Sequence, residues 1–178
     1  MAESELKIPK DRVGALIGPD GKVKREIEEK TGTKIEVDSE GGEITITSES
    51  DDFMPVHLSQ NIVKAIGRGF SPENAMLLIV DDTYLEIIDL RDYVGKSEKA
   101  IEQKKGRIIG KGGKAREEIE KAASAKISVY GRTIGIIGTM DSISKAKRAI
   151  EMLIEGASHT AVYNFLSKKK GYSEGFEL

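Results

Sequence analysis

An α+β fold made of two copies of one β-α-α-β-β-α module, with a further helix after the second copy, is what this 178-residue sequence predicts. Three observations carry the prediction. They are a self-match at a fixed offset, an apolar pattern that switches between strand and helix periods, and a G-x-x-G string at the same place in both copies. Val13-Gly14-Ala15-Leu16-Ile17-Gly18-Pro19-Asp20-Gly21-Lys22 lies 92 residues before Lys105-Gly106-Arg107-Ile108-Ile109-Gly110-Lys111-Gly112-Gly113-Lys114. At that offset Gly14 matches Gly106, Ile17 matches Ile109, and Gly18 and Gly21 match Gly110 and Gly113. The match runs on through Ile27 with Ile119, Lys34 with Lys126, Ile35 with Ile127 and Val37 with Val129. The next strands align when the first copy's turn is two residues longer, pairing Ile44 with Ile134 and Ile46 with Ile136.

In chain order, Glu5 to Pro9 is predicted as a first strand with Leu6 and Ile8 on one face. Asp11 is placed to cap a short helix that ends near Ile17. After Gly18–Gly21 a second helix runs from Lys22 to Lys30, with Val23 and Ile27 one turn apart, and Gly32 ends it. Lys34 to Asp38 and Glu43 to Thr47 alternate as a hairpin around Ser39–Gly42. From Asp52 to Arg68 the period is helical, with Leu58, Ile62 and Ile66 on one face. Ser71-Pro72 is an N-cap and N1 pair that starts a short junction helix ending near Leu78. The second copy opens with a strand from Thr83 to Leu90 and a helix from Ser97 that merges with the one ending at Ile109. A helix from Lys114 to Ala123 and strands at Lys126–Tyr130 and Thr133–Ile137 follow. Asp141 is expected to cap a long helix with Ile143, Ala146, Ile150, Leu153 and Ala157 on one face. The last helix, Ser158 to Lys169, carries Val162, Phe165 and Leu166, and the tail is expected to fray from Gly171. The resulting domains are 1–70, a junction 71–81, 82–157, and a C-terminal helix and tail 158–178.

Composition narrows the function classes. A charged fraction of 33% and a hydrophobic fraction of 38% fit a soluble globular chain. No apolar run is long enough to span a membrane, and the N-terminus lacks the apolar core of a signal peptide. With no cysteine there is no disulfide framework and no thiolate metal site. These features point to the cytoplasm and to no membrane partner. Residues 1–81 carry 10 Lys and Arg against 16 Asp and Glu, a net of −6, whereas residues 82–178 carry 18 against 14, a net of +4. Eight basic residues and two acids fall within Lys96–Arg116. A local basic patch on an acidic chain is the footprint of a nucleic-acid binder.

The chemistry sits in the loops. A glycine without a Cβ lets a phosphate approach the backbone, and amides at a helix start favour negative charge. Lys111, Lys114 and Arg116 add positive charge there. The first loop departs from this pattern, because Pro19 removes a donor N–H and Asp20 repels phosphate. Lys22, Lys24 and Arg25 compensate in part. G-K-G-G-K is not a P-loop, since it lacks G-x-x-x-x-G-K-[ST]. His57 and His159 are isolated and are expected to be structural or surface residues. Glu28-Glu29 and Glu117-Glu118 are expected to be helix faces. The sequence therefore predicts no catalytic residue, no metal site and no cofactor.

Val13 to Val37, VGALIGPDGKVKREIEEKTGTKIEV, resembles the signature of a KH domain, and Lys105 to Val129 resembles it equally. The element order matches the type I arrangement. The resemblance implies two type I KH domains, each a three-stranded antiparallel sheet packed on three helices. It also implies a loop that clamps backbone phosphates beside an apolar groove for about four nucleotides of single strand. In the second copy the groove would draw on Ile108, Ile109, Ile119, Ile127 and Val129. Two adjacent KH modules, with LRDYVGKSEKAIEQKKGRIIGKGG and the ending SHTAVYNFLSKKK, are similar to the archaeal and eukaryotic small-subunit ribosome-assembly proteins called Dim or partner-of-Nob. That similarity implies binding to the 3′ region of small-subunit ribosomal RNA and association with the Nob endonuclease.

The expected RNA-binding residues are Arg107, Ile108, Ile109, Gly110, Lys111, Gly112, Gly113, Lys114, Arg116 and Ile127. A weaker set is Ile17, Gly18, Pro19, Asp20, Gly21, Lys22, Lys24 and Arg25, in a module that would also dock protein. The leading function is single-stranded RNA binding without catalysis. The alternatives are a KH-fold protein-interaction scaffold and a KH adaptor for RNA decay or messenger binding.

Overall fold

The computed structural model describes residues 1–172. The chain divides into two compact units, Met1–Leu85 and a second beginning at Glu86. The division falls four residues beyond the boundary expected after residue 81.

The first unit runs β1 (Ala2–Lys7), α1 (Lys10–Ile17), a 3-10 turn (Pro19–Gly21), α2 (Lys22–Thr31), β2 (Lys34–Val37), β3 (Glu43–Ser48) and α3 (Met54–Gly67). It closes with α4 (Pro72–Ala75), continued by a 3-10 turn over Met76–Ile79. The sheet has the order β1-β3-β2, with both pairings antiparallel. Leu6 pairs with Ile44 and Ile35 with Ile46, so one row of each strand faces the helices. Ile35, Ile44 and Ile46 are fully buried there, against Leu16, Ile27, Ile62 and Ile66. α1, α2 and α3 pack on one another, and α4 packs on α3.

Three sequence expectations are corrected here. β1 starts at Ala2 rather than Glu5, because it pairs along the whole of β3, out to Ala2 opposite Ser48. Alanine carries too little apolar signal to reveal that. Asp11 is not the cap of α1. Pro9 occupies the N-cap position, and Asp11 stands in the first turn. Leu58 is only half-buried, since the inward face of α3 is Val56, Ser59, Ile62, Val63 and Ile66. Ser59 faces inward because it ends a chain of buried hydroxyls. Thr31 Oγ1 donates to Ile27 O at 2.7 Å and lies 2.7 Å from Thr33 Oγ1, which in turn lies 3.1 Å from Ser59 Oγ. With every hydroxyl partnered, burial is tolerated. At the same offset the second unit has Ala123 and Ala125, both buried, and needs no such chain.

The second unit runs β4 (Tyr84–Asp89, of which Tyr84 and Leu85 fall to the first unit), α5 (Arg91–Val94), α6 (Glu98–Ile109), a 3-10 turn (Lys111–Gly113), α7 (Lys114–Ala123), β5 (Lys126–Tyr130), β6 (Thr133–Gly138), α8 (Met140–Ile154) and α9 (His159–Tyr172). The sheet order is β4-β6-β5, and β5 pairs antiparallel with β6. α6 is one continuous helix from its Ser97 cap, whose side chain accepts the Ala100 amide. The cap of α8 is Thr139, accepting the Ser142 amide, and not Asp141. The short α5 was not anticipated. Burial works against the Asp89 carboxylate, but the amide and side chain of Arg91 and the side chain of Arg132 hold its pKa below the ordinary value. That cluster ties the end of β4 to the β5–β6 turn. α9 joins the core directly: Val162 and Leu166 are buried in the same cluster as Ile108, Ile119 and Ile150. The tail expected to fray from Gly171 lies, beyond Tyr172, outside the described residues.

The repeat makes a stability prediction. α2 ends on Gly32 in the left-handed region, φ 71° and ψ 30°, and α7 ends on Ser124 at φ 56° and ψ 46°. The cap amides of both reach back to equivalent carbonyls, Glu28 O and Glu120 O. The geometry is the same, but only glycine adopts it without a Cβ penalty. Ser124→Gly is expected to stabilise the second unit by about 0.5–1 kcal/mol, and Gly32→Ala to destabilise the first by about 1 kcal/mol. Urea denaturation with an unchanged m-value is the measurement.

Candidate nucleic-acid interface

Both G-x-x-G loops adopt one backbone. The leading glycines, Gly18 and Gly110, have φ/ψ of 72°/176° and 73°/176°. The third residues, Asp20 and Gly112, lie at 54°/28° and 63°/21°, and the closing Gly21 and Gly113 at 75°/14° and 78°/8°. The leading glycine is required twice over. Besides its positive φ, a Cβ on Gly110 would stand 2.6 Å from Ala115 Cβ and 2.8 Å from its backbone nitrogen, and one on Gly18 would stand 2.9 Å from Val23 N. In each loop the closing glycine donates to the leading glycine's carbonyl at 3.2 Å. The amides of Lys111 and Gly112 precede that i→i+3 bond and gain no partner from it. No side chain caps α2 or α7. The first amide of each ten-residue helix, Lys22 N or Lys114 N, donates back to Pro19 O or Lys111 O, and no side chain caps the turn that follows, which leaves the helix start as a setting for an anion.

The side chains differ between the copies. Lys111, Gly112 and Lys114 are exposed in the second loop; Pro19, Asp20 and Lys22 are exposed in the first. Pro19 offers no amide, and Arg25 folds back to donate to Asp20 O at 2.7 Å. Lys24 and Arg116 occupy matched positions beside Glu28 and Glu120, at 3.6 Å and 2.6 Å. Those two glutamates have a structural task beyond a helix face. Each accepts, through Oε2, the amide that opens the next strand's apolar row, Ile35 N or Ile127 N, at 2.9 Å.

Two of the expected RNA-binding residues are buried, against the surface placement expected for them, and a third, Arg107, is half-buried with its side chain engaged inside the chain. Ile108 is fully buried and Ile127 is 5% exposed, both within the core cluster. Arg107 lies along α6 and donates to Leu153 O and Ala157 O, each at 2.5 Å, at the C-terminal end of α8. Ile119 is likewise a core residue. Of the five aliphatics expected to line a groove, Ile109 and Val129 remain half-buried, matched by Ile17 and Val37 in the first unit.

Sequence reasoning passed over one feature next to the loop. Gly106 and Gly14 are exposed helix residues one turn before the leading glycines, and a Cβ on either would meet nothing within 4 Å. Their φ values are not positive. Nothing among the described residues requires glycine there, although it costs a helix about 1 kcal/mol relative to alanine. The signal was present in the repeat, where both glycines recur at the 92-residue offset.

His57 is exposed and pairs with Asn61 at 3.3 Å, while His159 Nε2 meets Arg107 O at 2.8 Å. Among the described residues no three His, Cys, Asp or Glu side chains gather as a metal site. No helix among them is long and apolar enough to cross a membrane.

Comparison with known proteins agrees with this architecture. A family model described as a eukaryotic type KH domain, type I, matches residues 84–171, and a KH domain model matches residues 3–53. The chain is 48% identical over 167 residues to KH domain-containing protein MJ0443 of Methanocaldococcus jannaschii, covering 93% of this chain and 73% of that one. It is 33% identical over 122 residues to RNA-binding protein PNO1 of Oryzias latipes, covering 68% of this chain and 50% of that one. It thus spans about half the length of the eukaryotic relatives. Among solved structures it is similar to Dim2p of Pyrococcus horikoshii, with 48% identity and a TM-score of 0.89 over 94% of this chain and 99% of that one. A structure of the same archaeon's a/eIF2alpha–aDim2p–rRNA complex matches with a TM-score of 0.89 and 48% identity, over 96% of this chain and 94% of that one. Two modules with one loop geometry, close identity along the chain and the shared fold make this protein a member of the Dim2/PNO1 family of tandem KH-domain proteins.

Proposed function

We propose that this protein is a single-stranded RNA-binding factor of small-subunit ribosome assembly that acts by binding and without catalysis. The observation that carries the reading is the second loop. There an exposed lysine, a bare glycine backbone and a helix start without a side-chain cap converge on one point, as phosphate binding requires. Its relatives support it: PNO1 proteins are named as RNA-binding and pre-rRNA-processing, and the Pyrococcus horikoshii neighbour was solved with rRNA. We read the RNA as the 3′ region of small-subunit ribosomal RNA, the Nob endonuclease as a protein partner, and the cytoplasm as the place of action. The main RNA site is the second module, through Ile109, Gly110, Lys111, Gly112, Gly113 and Lys114. The first module contacts RNA more weakly.

Fluorescence anisotropy with short RNAs tests the reading. Single strands are expected to bind in preference to duplex, because a groove of this kind accepts unstacked bases. Affinity should fall with salt with a log–log slope of about −0.7 for each phosphate contacted. Equal affinity for duplex, or no salt dependence, would sink the proposal. Sequencing the RNA that copurifies with the protein then identifies the target.

The bare helix face at Gly106 gives a second test. Gly106→Ala should raise stability by about 1 kcal/mol, since its Cβ meets nothing within 4 Å among the described residues. It should nonetheless weaken RNA binding several-fold, because the added methyl stands where the nucleotide backbone approaches the helix. A variant that gains stability and keeps full affinity would show that RNA does not pass over this turn.

A further inference from the structure

The first unit holds a concavity to which neither G-x-x-G loop contributes a residue. A hollow of about 720 Å³ opens between the N-terminal half of α3 and residues 78–85, with Thr31 of α2 also lining it. That volume is in the range of sites that accept ligands or anchoring side chains. Leu58, Leu78 and Ile79 give it an aliphatic interior. At its mouth stand side chains that a monomer ordinarily hides: Met54 is 68% exposed, Val80 60% and Tyr84 47%. Phe53, at the N-cap of α3 beside Met54, is 49% exposed. Three of the eight large apolar side chains exposed among the described residues therefore line one hollow, which is the mark of an interaction surface rather than of scatter.

The rim selects the partner by charge. Asp52, Asp81 and Asp82 are exposed around the mouth. Asp52 is held in place by accepting the Met54 amide at 3.0 Å. Among the described residues Lys30 is the only Lys or Arg that lines the hollow, and it is paired with Glu26 at 3.1 Å. Carboxylates so placed repel phosphate and attract Lys and Arg, in keeping with the net charge of −6 over residues 1–81. No residue of β1, β2 or β3 lines the hollow, and only the first two residues of β4 do. Main-chain strand addition has too little edge here, so recognition must work by side chains entering the hollow.

The geometry points to a docking groove for an amphipathic helix of another protein, whose apolar stripe fills the hollow and whose flanking Lys and Arg meet the three aspartates. This goes beyond the RNA reading and stands or falls separately from it. The probe is a short labelled peptide with leucines at helical spacing and lysines on both flanks, titrated into the full chain. A second peptide with glutamates in place of the lysines is the control. The lysine peptide is expected to bind, and the glutamate peptide to bind at least tenfold more weakly. Met54→Ser with Val80→Ser alters only exposed side chains and should lower the lysine peptide's affinity about tenfold. Asp52→Asn with Asp81→Asn keeps the shapes, including the acceptor for Met54 N, and should erase the discrimination between the peptides. All these variants should bind single-stranded RNA as the parent does. Lys111→Pro with Gly112→Asp should lose RNA and keep the peptide, so failure of one reading is distinguishable from failure of the other. Equal binding of the two peptides, no loss in the serine variant, or competition between RNA and peptide would each overturn the proposal. So would a dimer in sedimentation that the serine variant dissolves, since the occupant would then be a second copy of this chain.

Discussion

Lys111→Pro with Gly112→Asp is expected to lower RNA affinity at least tenfold, a change of about 1.4 kcal/mol, while leaving the fold intact. The variant writes the first loop's residues into the second, and the structure shows in advance that the backbone accepts them. Pro19 and Asp20 already occupy the same conformation, and Asp20 at φ 54° matches Gly112 at φ 63°. A Cβ at Gly112 meets nothing within 4 Å. What changes is chemistry. The exposed Lys111 ammonium and its amide are lost, and a carboxylate is set where a phosphate would sit. The reciprocal Pro19→Lys with Asp20→Gly restores both features to the first loop and should strengthen whatever RNA contact that unit makes. It also relieves a non-glycine residue of a left-handed backbone. Anisotropy on one RNA, with a circular dichroism melt for each variant, reads both effects. If the second-loop variant keeps its affinity and the first-loop variant alters it, the main RNA site lies in the first unit.

The fold was largely legible because its signals are local and doubled. Alternation in Glu43–Ser48, the helical period in α8 and the turn glycines each name an element, and the repeat checks every one against a second copy. Errors arose where a residue's role is set by tertiary partners. Asp11 and Asp141 have the right chemistry for caps, yet each helix begins one residue before them, at Lys10 and Met140, so neither stands at an N-cap. Ser59 displaces Leu58 from the inward face because Thr33 waits for it in the core. At the candidate site, the loop positions could be read because glycine is demanded by backbone geometry. The groove residues could not, because this helix spaces core-facing and partly exposed isoleucines one residue apart. Ile108 is fully buried, whereas Ile109 is only half-buried. The hollow beside α3 escaped for a related reason: its walls come from residues 30 to 85, brought together only by folding.

Arg107 has a structural task that its sequence context did not reveal, and it yields the second large expected effect. Arg107→Ala should destabilise the second unit by about 2–3 kcal/mol, the value of charged hydrogen bonds to part-buried carbonyls, and change RNA affinity by less than twofold. Its guanidinium spans Leu153 O and Ala157 O, where α8 ends and the chain turns toward α9. Those carbonyls lie at the negative end of a fifteen-residue helix, so the cation also complements the macrodipole. The first unit uses the same device from a different place. Arg12 Nε and Nη2 donate to Ile66 O and Phe70 O, at 2.8 Å and 2.9 Å, where α3 ends. At the 92-residue offset Arg12 matches Lys104 and Arg107 matches Ala15. The two arginines therefore sit one turn apart on equivalent helices, and an alignment of the copies hides their common task. Arg107→Lys keeps the charge but not the fork that reaches both carbonyls, so it should recover only part of the loss. Urea midpoints for the three proteins, set beside their RNA affinities, decide the matter. Should Arg107→Ala melt like the parent and lose RNA, the arginine belongs to the nucleic-acid surface after all, and the placement of its side chain against α8 is wrong.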